Sequence, residues 1–475
     1  MKYKLQILIA LLIVITNACN YNIQNTPIVS KTLPNQFNDT ISDTLNIANT
    51  SWQSFFNDSL LTKLINEGLK NNLDLQATMQ KINIARAEQK QAKGALFPTI
   101  SANTTYWQRK FGDYTMDWAG NKVTEITPGK VIPAHLPDYY LGLQTNWEID
   151  ILGKLKNKKK GAYLRYLSSI EGIKYVKTNL ISEIASNYYT LLSLDLQLDL
   201  VNENIKIQED ALNIIKIQKE TANTTELAVI QFESQLLNSK ALEFEINQQI
   251  IEVENRINYL LSRFPQKINR NKLSLNQNFI SKLSIGVPSK LLSNRPDIKE
   301  AEFNVEASKL DVIVAKKAFY PSLNISGNIG LQAFNTAYLL STPQSLAYNL
   351  IGNIAAPLIN KSAIKANFST ANALQISNLC NYQSIIIKAF IEVNTQVAHI
   401  SNLEKIKAIK NLQVDKLNKS IETSLELFKS GRANYLEILL TQSNSFETKL
   451  DLLATQQAQK IAQINLYKAL GGGWK

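Results

Sequence analysis

The chain contains an internal repeat, and this repeat limits the folds that the sequence can adopt. The stretch NNLDLQATMQKINIARAEQKQAKGALFPTISANTTY returns as NRPDIKEAEFNVEASKLDVIVAKKAFYPSLNISGNIGL. Superposing Pro98 on Pro321, a shift of 321 − 98 = 223 residues, also aligns Phe97 with Tyr320. Duplication of this kind predicts two copies of one structural unit.

Each copy contains two stretches in which apolar and polar residues alternate. Alternation with a period of two is typical of strands that have one apolar and one polar face. The predicted strands span about residues 99–111, 139–151, 321–333 and 346–358. The two strands of the first copy are separated by an aromatic, Gly- and Pro-containing loop of about 25 residues.

Long segments without helix-breaking residues follow each strand pair. No glycine occurs between Gly172 and Gly286, and none occurs between Gly352 and Gly431. Helices over such runs would reach on the order of 90 Å at 1.5 Å per residue. Apolar residues recur at heptad spacing, which predicts coiled-coil packing. They are Leu191, Leu194, Leu198, Val201, Ile205, Leu212 and Ile215, and then Val414, Leu417, Ile421, Leu425 and Phe428.

Each helical run is predicted to fold back once. The dipeptide Ala222-Asn223 aligns with Ala433-Asn434 at a shift of 211 residues. The sequence therefore predicts two helical hairpins, with tips near residues 221–225 and 431–434. The first structural repeat spans residues 51–285 and the second spans residues 286–475.

The N-terminus has the pattern of an export signal. Lys2 and Lys4 precede an apolar core, Leu5 to Ile15, that is too short to span a bilayer as a mature helix. It leads into Ala18-Cys19, which resembles a lipobox and predicts acylation of Cys19. We predict a signal peptide over residues 1–18 and a lipidated, extended tether over residues 19–50.

Catalytic and metal-binding patterns were sought without a candidate emerging. The two histidines, His135 and His399, lie far apart and are interpreted as surface or packing residues, and Cys380 as a lone packed thiol. Neither a phosphate-binding glycine loop nor a nucleophile elbow is present. We expect no enzymatic activity, no cofactor and no metal site. The net charge of +12 comes from lysines scattered along helices, which argues against nucleic-acid binding.

The motifs NRPDI and FYPS, together with the closing ALGGGW, resemble those of the outer-membrane efflux channels of the TolC/OprM type, in the lipoprotein (NodT) branch. The resemblance covers nearly the whole chain after about residue 50. It implies an α+β membrane protein in which duplicated long helical hairpins form a periplasmic α-barrel. The four strands of each chain would contribute to a transmembrane β-barrel shared by a homotrimer, because four strands cannot close around a pore alone.

The resemblance also implies a function, a location and partners. The expected function is a passive exit duct, the outer-membrane channel of a tripartite efflux system. It would be lipid-anchored in the outer membrane, extend into the periplasm, and work with a periplasmic adaptor and an inner-membrane pump. By analogy with related channels, Glu422 and Glu426 are candidates for a carboxylate ring that narrows the closed exit. The candidate adaptor contacts at the tips are Thr224, Thr225, Gly431, Arg432 and Asn434.

Other functions stay open at this point. The chain could be the outer-membrane channel of a type I protein secretion system, or a non-conducting, lipid-anchored coiled-coil scaffold. A soluble α+β protein whose small sheet caps a helical bundle, or an exported enzyme, is a further possibility. The transported substrate and the partner pump are not encoded in any recognisable motif.

Overall fold

The computed structural model describes residues 33, 34, 36, 37, 46–221, 224–276, 279, 285–359, 361–430 and 432–474. The chain divides into two compact units. Among the described residues, the first unit comprises 84–166 and 303–379, and the second comprises 33–83, 167–302 and 380–474 within those limits.

The helices and strands are named in chain order. They are α1 (Trp52–Phe56), α2 (Ser59–Asn71), α3 (Leu73–Gly94), β1 (Thr99–Arg109), α4 (Met116–Asn121), β2 (Glu125–Thr127), β3 (Lys130–Val131), β4 (Leu136–Ile149), α5 (Lys154–Glu220), α6 (Glu226–Leu260), α7 (Ser289–Asn294), α8 (Pro296–Lys317), β5 (Ser322–Ala333), β6 (Leu346–Ala355), α9 (Ser362–Lys429) and α10 (Tyr435–Ala469). Short 3₁₀ helices span Ile47–Asn49, Lys272–Asn276 and Thr336–Tyr338.

The first unit is built on an antiparallel sheet with the strand order β1-β4-β5-β6. The two central strands come from different copies of the repeat, and they pair from Tyr139–Ala333 to Ile149–Leu323. The sheet therefore joins the two halves of the chain. Strands β2 and β3 form a separate small hairpin within the long loop.

The four predicted strands of the sheet are present, but some of their limits differ from the prediction. Strand β1 ends at Arg109, and β4 begins three residues earlier than expected, at Leu136. Strand β6 ends at Ala355 and not near residue 358, because Pro357 has no N–H to donate to a strand ladder.

The two helical hairpins are nearly equal in length. Helices α5 and α9 have 67 and 68 residues, and α6 and α10 have 35 residues each. The starts of α6 and α10, at Glu226 and Tyr435, are separated by 209 residues, so the sequence alignment at 211 was two residues out. Burial agrees with 209, since equivalent positions are buried in both helices. These pairs include Val229 and Ile438, Leu236 and Ser445, Ser239 and Thr448, and Ile257 and Leu466.

The predicted heptad stripe packs differently in the two copies. In α5, six of its seven residues are buried and Leu198 packs against the same core. In α9, Leu425 is exposed and the other four positions are only half-buried. Coiled-coil packing within one chain is therefore correct for the first copy only. The α9 stripe lacks enough partners among the described residues of its own chain.

Aromatic side chains form the centre of the second unit. The Phe55 ring stacks on Tyr467 with centroids 4.1 Å apart, and the Tyr467 hydroxyl donates to the Thr50 carbonyl at 2.7 Å. Burial raises the pKa of Tyr467 to about 12, so the hydroxyl is a donor at any physiological pH. This contact joins α1, near the start of the described chain, to the last turn of α10.

Part of the predicted tether is packed. Phe37 is buried and stacks on Phe390 at 5.4 Å, and Ile47 and Ala48 are buried in the core of the second unit. The prediction of an extended tether up to residue 50 was wrong for these residues, whose apolar side chains gain from burial. Most of residues 1–45, including the predicted signal and Cys19, lie outside the described residues.

A buried arginine explains the NRPDI motif. Arg295 Nη2 lies 2.6 Å from Asp297 Oδ2, and its Nη1 lies 2.7 Å from Glu392 Oε2. Nη1 also donates to the Ala469 carbonyl at 3.1 Å. Burial lowers the pKa of neighbouring Lys468, although Glu392 opposes this shift. We call Arg295, Asp297 and Glu392 the arginine clasp. It ties the start of α8 to α9 and to the end of α10.

The glycine-rich C-terminus fits closely against the same region. Gly471 has φ +90°, and a Cβ there would lie 2.7 Å from the Asn294 carbonyl oxygen. A Cβ on Gly472 would come within 2.3 Å of the Tyr467 ring. The Trp474 indole Nε1 donates to Asn294 O at 3.1 Å. The closing GGGW thus packs on NRPDI because no larger residue fits between them.

Two further sequence interpretations can be compared with the fold. Cys380 is a free cysteine but is exposed, so its prediction as a packed thiol was wrong. His135 and His399 are both exposed. Within the described ranges, no helix combines the length and the apolar character needed to cross a membrane.

We expect Arg295→Met to lower the free energy of unfolding by about 3 kcal/mol, because it leaves two carboxylates without their buried partner. The measurement is chemical denaturation in detergent, followed by far-ultraviolet circular dichroism. Lys216→Met is the control, since Lys216 pairs with Glu233 at 2.7 Å but both side chains are nearly half exposed. It should cost less than about 1 kcal/mol. Equal losses in the two variants would contradict a stabilising role of the clasp.

Candidate functional site

One face of the four-stranded sheet is apolar and exposed. Cross-strand register places large side chains from all four strands on this face. They are Ile100, Tyr106, Leu141, Leu143, Ile329, Leu346, Tyr348, Leu350 and Ile354, and between 44% and 80% of each is exposed. Soluble proteins bury such a face against a core. We call this set the apolar face.

The opposite face of the sheet is lined by neutral hydrogen-bonding groups. Asn103 pairs in register with Gly142 beside Gln144, and Asn328 pairs with Asn349. These amides line a common cavity with several other residues of the four strands. The cavity residues are Asn103, Thr105, Trp107, Tyr140, Gln144, Ser326, Gly327, Asn328, Gln332, Asn349 and Ile351. We call this set the amide face.

Charge on the amide face is confined to its ends. Arg109, Asp138 and Glu148 lie at strand ends, and the residues between them are uncharged. Gln332 Nε2 donates to Asp138 Oδ2 at 2.8 Å. A wall of amides can exchange hydrogen bonds with water along its length, but it offers neither a nucleophile nor a general base.

Two glycines on the amide face make room for Tyr140. Gly142 and Gly330 lie opposite each other in β4 and β5. A Cβ on Gly142 would lie 2.5 Å from the Tyr140 hydroxyl and 2.6 Å from Gly330 Cα. The buried Tyr140 ring therefore crosses the sheet where both strands lack side chains. It places a rigid aromatic group on an otherwise flexible polar wall.

The hairpin tips belong to the second unit and are closed by side-chain caps. Thr225 Oγ1 accepts a hydrogen bond from Ala228 N at 3.4 Å, and Asn434 Oδ1 accepts one from Glu437 N at 3.1 Å. These residues are the N-caps of α6 and α10, and they are equivalent at the shift of 209. Each cap satisfies one of the free N–H groups at the helix start.

Of the other predicted tip contacts, Thr224 is half-buried and Arg432 is exposed, whereas Gly431 lies outside the described residues. The sequence reasoning missed two apolar residues beside them. Leu227 and Leu436 are equivalent at the shift of 209, and 58% and 39% of them are exposed. An exposed leucine at the same place in both hairpins would have been visible in sequence only with the correct register.

The two candidate gate carboxylates lie in the last two turns of α9. Glu422 and Glu426 are both exposed, and neither has an ion-pair partner in the part of the chain that the structure describes. Their spacing of four residues places them on one side of the helix. The structure does not bring them together with a third carboxylate: the described residues contain no group of three His, Cys, Asp or Glu side chains that could hold a metal ion.

Comparison with known proteins places the chain in a family. The family described as "Outer membrane efflux protein" matches residues 64–263 and 287–472, which is most of each copy of the repeat. The Cation efflux system protein CusC of Escherichia coli O6:H1 is 27% identical over 450 residues, covering 93% of both chains. The Probable outer membrane lipoprotein SilC of Salmonella typhimurium is 26% identical, covering 90% of this chain and 88% of that protein.

The fold is also similar to solved structures. The open state of the MtrE outer membrane channel of Neisseria gonorrhoeae superposes with a TM-score of 0.82 at 22% sequence identity. The match covers 96% of this chain and 99% of that chain. The resemblance inferred from NRPDI, FYPS and ALGGGW is thereby confirmed, as is the expected α+β channel fold. The chain belongs to the outer membrane efflux protein family and is the outer-membrane channel of an efflux system.

Proposed function

We propose that three copies of this chain form one passive duct, through which an inner-membrane pump, coupled by a periplasmic adaptor, expels solutes. The two-faced sheet carries this proposal. An exposed apolar face suits the hydrocarbon of a bilayer, and the amide face opposite it suits water. This arrangement is the reverse of what a soluble sheet on a helical bundle would need.

The edges of the sheet support sharing between chains. In the described part of the chain, β1 and β6 each pair on one side only. Unpaired backbone N–H and C=O groups cost several kcal/mol each in a hydrocarbon environment. Pairing β6 of one chain with β1 of the next would satisfy both edges. Three chains would then supply twelve strands around one pore, as the family resemblance implies.

The helices support the same assembly. The heptad stripe of α9 is half-buried or exposed in the single chain, and other apolar residues of this helix, such as Ile409 and Leu412, are 64% exposed. Helices with apolar faces of this kind bury them against neighbouring helices. A neighbouring chain would provide these partners.

We propose that the hairpin tips contact the adaptor. Thr224, Thr225, Gly431, Arg432 and Asn434 are the polar part of this contact. Leu227 and Leu436 add an apolar residue at equivalent places beside each cap. Two similar tips in each chain would present six similar docking places in a trimer.

Glu422 and Glu426 are proposed to narrow the exit electrostatically. Three copies of each carboxylate around a constriction would form rings of negative charge, which favour cations. Residue spacing near the tip supports this role, since both side chains are exposed and lack an ion-pair partner among the described residues.

The wall of the duct offers little basis for choosing a substrate. CusC is named for cation efflux, but among the described residues of this chain no three metal-ligating side chains converge. The amide face is neutral. We infer that substrate choice is made by the pump and the adaptor, and that the duct accepts what they deliver.

The duct is tested by recording single channels in a planar lipid bilayer. Wild-type protein should conduct, and Glu422→Ala should lower the preference for cations over anions several-fold, as measured by the reversal potential in a salt gradient. Glu404→Ala is the matched control. Glu404 is exposed on the same helix, 18 residues or five full turns earlier, so it lies on the same side of α9.

The control should change selectivity much less, because only the narrow end concentrates the field. Equal shifts in both variants would overturn the gate but leave the duct intact. A wild-type protein that never conducts would overturn the duct and favour the non-conducting scaffold.

Cys19 is proposed to be acylated. Cys19→Ser should abolish incorporation of an alkyne-labelled palmitate analogue in cells, because the thiol that receives the lipid is gone. Cys380→Ser removes the only other cysteine and should leave labelling unchanged. Labelling that disappears with Cys380→Ser and persists in Cys19→Ser would contradict this assignment.

A further inference from the structure

The net positive charge of the chain is concentrated where helices meet the sheet. The helical parts of the first unit and their junctions, residues 84–98, 148–166, 303–321 and 356–379, contain fourteen Lys and Arg and five Asp and Glu. Their balance of +9 is most of the +12 of the whole chain. The lysines that seem scattered in the sequence are therefore gathered by the fold into one unit.

The same order of residues occurs at all four junctions between a strand and a helix. An exposed apolar or aromatic residue lies next to the strand, and a lysine follows within four residues on the helical side. The four pairs are Phe97 with Lys93, Leu152 with Lys154, Tyr320 with Lys317, and Ile359 with Lys361. Four repetitions make a common cause more plausible than independent surface choices.

Contacts within the first unit show that the junctions are close together. Trp147 Nε1 donates to the Leu96 carbonyl at 3.0 Å, which joins the end of β4 to the end of α3. A Cβ on Gly153 would lie 3.3 Å from Lys317 Nζ, so the end of α8 reaches the start of α5. One open cavity is lined by both Lys154 and Lys317.

The charge at these junctions is only partly neutralised by the chain itself. Lys154 pairs with Glu148 at 2.6 Å, and Arg165 pairs with Asp311. Asp150 accepts the backbone N–H groups of Leu155 and Lys156 at 3.0 and 2.7 Å, so it caps α5. We define the lysine collar as Lys93, Lys317, Lys361 and the lysines of the run 154–160. Apart from Lys154, its members have no carboxylate partner among the described residues.

This arrangement is locally unfavourable for the helix that carries most of it. Five lysines lie within the first seven residues of α5, and the first turn has no acidic residue. Cations near a helix N-terminus are opposed by the helix dipole and by one another. A bound anion would relieve both effects.

We propose that the lysine collar binds the phosphate groups of anionic phospholipids in the periplasmic leaflet, and this rests on the proposed transmembrane role of the sheet. The apolar face is continuous with the exposed residues at the junctions, so the lysines stand at the depth of the headgroups. Lysine stems can cover apolar surface while the ammonium group reaches a phosphate. Basic clusters directly beside a membrane-spanning element attract anionic lipids in this way.

The test compares lipid retention by native mass spectrometry of the full-length protein in an equal mixture of phosphatidylglycerol and phosphatidylcholine. Wild type should retain phosphatidylglycerol preferentially. Lys156→Gln, Lys158→Gln and Lys160→Gln combined should lower this preference at least five-fold, since each lysine near an anionic surface contributes a factor of about five. High salt should weaken the wild-type preference as well.

The matched control neutralises three lysines of α9, Lys405, Lys416 and Lys419, which are exposed and lie in the second unit. This variant has the same change in net charge and should keep the wild-type lipid preference. Retained helical circular dichroism and conductance in pure phosphatidylcholine show that both variants are folded, and they test the duct separately from the collar.

Two results would overturn the proposal. If the collar variant keeps its lipid preference but its reversal potential moves toward cation selectivity, the lysines face the lumen and act on passing anions. If neither property changes, the collar is only a solvated surface.

Discussion

Backbone pairing between β4 and β5 is the interaction on which the rest of the structure depends. It joins the two copies of the repeat, because each copy supplies one of the two strands. It also fixes how many strands one chain can offer, since β1 and β6 remain as edges. A sheet of four strands with an exposed apolar face is unsatisfactory for a chain alone in water. The same sheet becomes satisfactory when its edges meet other chains and its apolar face meets lipid.

Duplication sets a scaffold that the two halves then use differently. Helices α6 and α10 have equal lengths and equivalent caps, yet the heptad stripe is buried in α5 and largely open in α9. The arginine clasp belongs to the second copy alone, where Arg295 receives Glu392 and the end of α10. One copy thus provides the internal core, and the other presents a surface for neighbouring chains.

Patterns within short windows predicted the strands, their two faces and the long helices. Alternation around Leu141 and Leu143, and the missing glycines after Gly172, depend only on local backbone geometry. Features that depend on packing between distant segments were not predicted. The shift of 209, the clasp at Arg295 and the burial of Ile47 require the tertiary structure. The lysine collar was also invisible, because Lys93, Lys154, Lys317 and Lys361 are far apart in sequence and meet only through the sheet.

The central claim is that one chain supplies only part of the channel wall. The most direct measurement is the mass of the full-length protein in detergent by light scattering, with the detergent contribution subtracted. The account predicts three chains per particle, resistant to dilution because two sheet edges and the α9 stripes are buried between them. A stable particle containing a single chain would contradict it, since β1, β6 and α9 would then keep their open surfaces.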